Sequence, residues 1–133
     1  MTPKIDDANE TPFSGAQYLV FPASQNVRTY ANGDIKIMHL NTYFEPAGGA
    51  SHLMVIYPRK NDFFPHSRII STFSYIFLPQ TKSTYDPATG LTLTIPVSIF
   101  DGEDFVMRNL TLTINQESEE IVVEELTRFS APT

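Results

Sequence analysis

From Gly90 to Asn115 the chain reads GLTLTIPVSIF, then DGED, then FVMRNLTLTIN, and this stretch leaves the rest little freedom. Leu91, Leu93, Ile95, Val97 and Ile99 fall on every second residue of the first arm. Leu110, Leu112 and Ile114 do the same in the second, with Thr111 and Thr113 between them. Strict period two means a strand with one buried face, because successive side chains point to opposite sides of a pleated backbone. Asp101-Gly102 tolerates the positive φ of a tight reversal, so the two arms are predicted to pair antiparallel. The result is a ribbon with one greasy face and one hydroxyl-rich face. Its greasy face needs a second layer, which the remaining residues must supply.

They supply it as further strands. Val27 to Tyr30 and Ile35 to Phe44 flank Asn32-Gly33, a strong hairpin signal. Along the longer arm the apolar set starts on Ile35 and Ile37, then moves to Met38, Leu40, Thr42 and Phe44. That phase change implies a β-bulge near Ile37 and Met38, or a strand buried on both faces. Ala16 to Pro22 and His52 to Tyr57 are short apolar runs closed by proline. Arg68 to Leu78 is apolar on both faces, which suits the middle of a covered sheet or the wall of a barrel. Pro96 donates nothing to a ladder and therefore points to a sheet edge or a bulge. After Asn115, Val122, Leu126 and Phe129 share a helical face while Ile121 and Val123 share a strand face. The β-branched run favours strand, with Gln116 to Ser118 as a third hairpin turn.

About eight strands at short spacing read as an all-β domain. An antiparallel β-sandwich is preferred over a small closed β-barrel, because Pro96 implies an open edge, and at most one short helix is expected, at the C-terminus. Residues 1–15 are polar and aperiodic, a flexible N-terminal arm. Residues 16–133 then form a single all-β domain, and a chain of 133 residues can fill one core.

Composition removes several classes of function. There is no cysteine, which excludes disulfides, thiolate nucleophiles and thiolate metal sites. A net charge of -6 argues against nucleic acid as a partner, since that binding relies on Lys and Arg. Neither a secretory h-region nor a run of about 20 apolar residues is present, so no membrane span and a cytoplasmic location are expected. Gly48-Gly49 lacks the lysine and hydroxyl residue of a phosphate loop.

The candidate sites follow from what is left. His39 and His52, with Glu45, could offer N and O ligands to a metal, although no HExxH spacing is present. His66 adjoins Ser67, but neighbours in an extended chain diverge, and no GxSxG elbow exists. Asp101, Glu103 and Asp104 make an acidic hairpin tip. Phe63-Phe64 lies in a loop with Arg59, Lys60, His66 and Arg68, on a chain whose acids crowd between Asp101 and Glu125. Those phenylalanines either plug the end of the core or form an interaction surface. The chain is accordingly expected to be a non-catalytic module for protein interaction or self-association, without a cofactor, in which Arg59, Lys60, Phe63, Phe64, His66 and Arg68 bind the partner. A barrel carrying an apolar small molecule and a histidine-carboxylate enzyme or metal-binding protein are the alternatives.

Overall fold

The computed structural model describes residues 2–7, 18–20, 26–42 and 51–129. Two 6-stranded antiparallel sheets face each other. The first contains β1 (Lys4–Asp7), β2 (Tyr18–Val20), β3 (Val27–Tyr30), β4 (Ile35–Thr42), β5 (Ser51–Tyr57) and β6 (His66–Phe73). Its order is β1-β6-β5-β4, with β3 and β2 paired to successive halves of the far side of β4. The second contains β7 (Tyr75–Ile76), β8 (Lys82–Asp86), β9 (Gly90–Phe100), β10 (Phe105–Asn115), β11 (Glu120–Val123) and β12 (Thr127–Arg128). There β10 and β9 form the centre, flanked by β11 and β12 on one side and by β8 and β7 on the other. The architecture is an all-β sandwich. The barrel alternative is not realised, because the sheets keep separate edges instead of closing on each other.

The β9–β10 hairpin pairs as its periodicity requires, Leu110 with Ile95, Leu112 with Leu93 and Ile114 with Leu91. All but Leu91 are fully buried. They meet Ile35, Ile37, Leu53, Val55 and Ile70 of the first sheet in one core. Each such side chain contributes about 1.5–3 kcal/mol by leaving water. On the opposite face Thr92 and Thr113 share a hydroxyl hydrogen bond of 3.0 Å.

Of the two causes the sequence allows for the phase change in β4, burial on both faces is the one realised. No bulge occurs at Ile37 and Met38: β4 keeps unbroken register with β5 from Lys36↔Ile56 to Asn41↔Ser51. Instead His39 continues the inward set of Ile35 and Ile37, and Leu40 is buried on the other face. The bulge lies in β6. Ser51 pairs with Phe73 and Leu53 with Ile70, so β6 carries one extra residue and turns both Ile70 and Phe73 inward. The apolar run from Arg68 to Leu78 is likewise two strands, since the chain leaves the first sheet at Phe73 and enters the second at Tyr75.

Pro96 does not mark an edge strand, because β9 is paired on both sides. It sits where the second neighbour changes from β8 to β7. Its carbonyl accepts from the Phe77 amide at 2.9 Å, so its nitrogen faces the same gap, beside the 3₁₀ turn Leu78–Gln80, where no ladder donor is required. Part of the predicted arm is also strand: Lys4–Asp7 pairs with β6, whose free edge accepts any extended backbone. The segment after Asn115 is strand β11, not helix, paired from Asn115↔Glu120 to Leu112↔Val123. Among the described residues no helix is long and apolar enough to cross a membrane. Glu45 and Gly48-Gly49 lie outside the described residues.

Candidate functional site

Antiparallel pairing collects the β3–β4, β5–β6, β8–β9 and β10–β11 connections at one end of the sandwich. The β5–β6 loop there carries Phe63 and Phe64, 94% and 70% exposed, so they do not plug the core. Their rings pack edge to face at 5.5 Å. Asp62 fixes the turn beneath them, accepting from the Phe64 amide at 3.0 Å and from Arg59 at 3.2 Å. The Phe64 amide, reinforced by Arg59, holds the Asp62 carboxyl below its ordinary value. This cap is therefore present above the usual carboxylate range and is lost as pH falls through the lowered value.

The same loop is bolted to the β10–β11 turn. Glu119 Oε1 accepts from the Lys60 amide and from His66 Nε2, both at 3.2 Å. Because a carboxylate only accepts, Nε2 must carry the proton. The His66 ring stacks on buried Tyr57 at 4.8 Å, and Tyr57 Oη donates to the Glu119 carbonyl at 3.5 Å. Lys60 Nζ donates to Glu117 at 3.0 Å. Glu119 itself has φ 57, a left-handed conformation costing about 1–2 kcal/mol in a non-glycine residue. Glu119→Ala keeps that strain and loses both side-chain bonds, so we expect a loss of about 1–3 kcal/mol, whereas Glu119→Gly relieves the strain and should lose less. Urea unfolding of the two variants checks this; an alanine variant as stable as the parent removes the clamp.

The predicted site thus divides. Arg59, Lys60, Phe63 and Phe64 share the loop, while His66 and Arg68, on the face of β6 that carries Ile70, turn toward the gap between the sheets. Arg68 lies there with Ile5, Tyr57 and Glu119. The basic character read from the sequence is largely answered within the chain, by Asp62, Glu117 and Glu119. These two glutamates are what sequence reasoning missed. The signal for them was strand parity, which brings the turn after β10 to the same end as the loop after β5.

The histidine alternatives separate clearly. His39 pairs with Leu53 and His52 with Leu40, so the two rings leave opposite faces of the sheet and cannot share an ion. His39 Nε2 lies 2.9 Å from Ser51 Oγ, which in turn donates to the Ser74 carbonyl at 3.3 Å. Both His39 and Ser51 are 1% exposed, so this hydrogen-bond network lies in the core. His66 and Ser67 occupy opposite faces, paired with Tyr57 and Ile56. At the far end Asp101 Oδ1 accepts from the Glu103 and Asp104 amides, both at 2.9 Å. Those amides, Asp104 foremost, hold the Asp101 carboxyl below its ordinary value, so this acid caps its turn.

Comparison of the chain with protein-family models, with curated proteins and with solved structures finds no match.

Proposed function

We propose that this chain is a non-catalytic β-sandwich module that binds a protein partner, a second copy included, through the β5–β6 loop. The observation that carries the reading is the exposure of two adjacent phenylalanines on a loop held at both ends. Each ring left in water forgoes about 1.5–3 kcal/mol of burial, which a folded chain tolerates where the surface is put to use. Aromatic side chains on a preorganised loop are efficient anchors, since little entropy remains to be lost on docking. Arg59 and Lys60 form the rim. With Asp62 and Glu117 engaging them, their steering of an acidic partner is weak, and the reading asks for an apolar pocket on the partner more than for an acidic face.

Replacing Phe63 and Phe64 together by serine is expected to shift the melting temperature by only about 2–4 °C, as for other surface changes in a small domain. Sedimentation equilibrium should move toward monomer, or binding to a captured partner should be lost. A large fall in melting temperature with unaltered association overturns the reading.

A further inference from the structure

At the loop end the core has an opening. Between the Ala31–Gly33 turn of the first sheet and the β8–β9 and β10–β11 turns of the second lies a cleft of about 400 Å³. Its floor includes Ile35 and Ile114, core residues 1% and 0% exposed, together with Leu91. Tyr30 and Tyr85 stand among its walls, and Asn115 and Glu117 are on its lining. The phenylalanines of the neighbouring loop, which could have closed this end, stand in solvent.

We infer that this cleft is a binding site for a small, neutral, planar molecule of one or two rings that carries a hydrogen-bond acceptor. Its volume lies at the lower end of the about 300–1,000 Å³ of small-molecule pockets, which sets the size. Two tyrosines and an aliphatic floor suit a flat apolar ring. The acceptor follows from the polar groups. Asn115 Oδ1 is taken by the amides of Glu117 and Ser118, at 2.9 and 3.2 Å, which leaves its Nδ2 as the donor. The Tyr30 side chain lines the cleft, and its hydroxyl is buried without a hydrogen-bond partner among the described residues. A guest that accepts from Asn115 Nδ2 is selected over one that leaves this donor unmatched. Glu117 and the net charge of -6 count against an anion. The site is independent of the Phe63-Phe64 surface, although Glu117 touches both through Lys60.

Nicotinamide and its anionic counterpart nicotinate make a matched pair of probes, differing chiefly in charge. Titrating nicotinamide into the ¹⁵N-labelled chain should move the amide signals of Tyr30, Leu91 and Asn115 saturably, with a dissociation constant on the order of 1 mM for so small a ligand. Nicotinate should bind more weakly. Tyr85→Ala, at a side chain 70% exposed, should leave the fold intact and weaken nicotinamide by about threefold to tenfold, the loss of one aromatic contact. Absence of saturable shifts, equal response to both probes, or shifts confined to Phe63 and Phe64 overturns the assignment.

Discussion

Gly90→Ala is expected to destabilise the chain by about 2–5 kcal/mol, from left-handed strain and from overpacking together. Gly90 has φ +103, a conformation that L side chains rarely adopt. A Cβ there would also lie 2.2 Å from the Ile114 carbonyl oxygen and 3.0 Å from Asn115 Cα. Both are backbone atoms of β10, locked into register by Leu91↔Ile114, so neither can yield without breaking the central ladder. Gly102 supplies the control. Its φ is +105 but nothing lies within 4 Å of a Cβ, so Gly102→Ala carries the backbone strain alone, about 1–2 kcal/mol. Urea midpoints of the two variants measure the difference; coincident midpoints reject the close approach at Gly90.

Leu112→Ala should cost about 2–5 kcal/mol, because a fully buried leucine loses its transfer energy and leaves a cavity that close packing cannot refill. Its neighbour Thr113 faces the other way, half-buried, and gives up one hydroxyl bond to Thr92. Thr113→Ala should therefore cost about 0.5–1.5 kcal/mol. Thermal or urea unfolding of both variants checks the register of β10. Equal losses would mean that the outward face is buried as deeply as the inward one.

The alternation of Leu91 to Ile114 made both the sandwich and its inner face legible, because period two has one structural meaning when one face is wet. The segment RIISTFSYIFL was less transparent. A bulge and a change of sheet both shift the phase without changing composition, so one double-sided strand and two single-sided ones look alike. β1 and β8, KIDD and KSTYD, were invisible for a different reason. They carry no apolar alternation and are strands because β6 and β9 offer free edges, a property of their neighbours. The Phe63-Phe64 loop stood out by composition, yet its exposure depends on what else could fill the end of the core. Glu117 and Glu119 join the site only through topology, and their own residues, QESE, say nothing of it.

Among the described strands every element before Ser74 belongs to one sheet and every element after it to the other. Along the described strands the chain therefore crosses between the layers once, and the two layers are consecutive halves rather than interleaved ones. During synthesis the first half can complete its ladders while Ile37, Leu53, Val55 and Ile70 still lack a cover, until the β9–β10 hairpin has been made. With Ser74 as the hinge between the described halves, two copies can trade halves and rebuild the same core without any new contact, the geometry from which domain-swapped dimers arise.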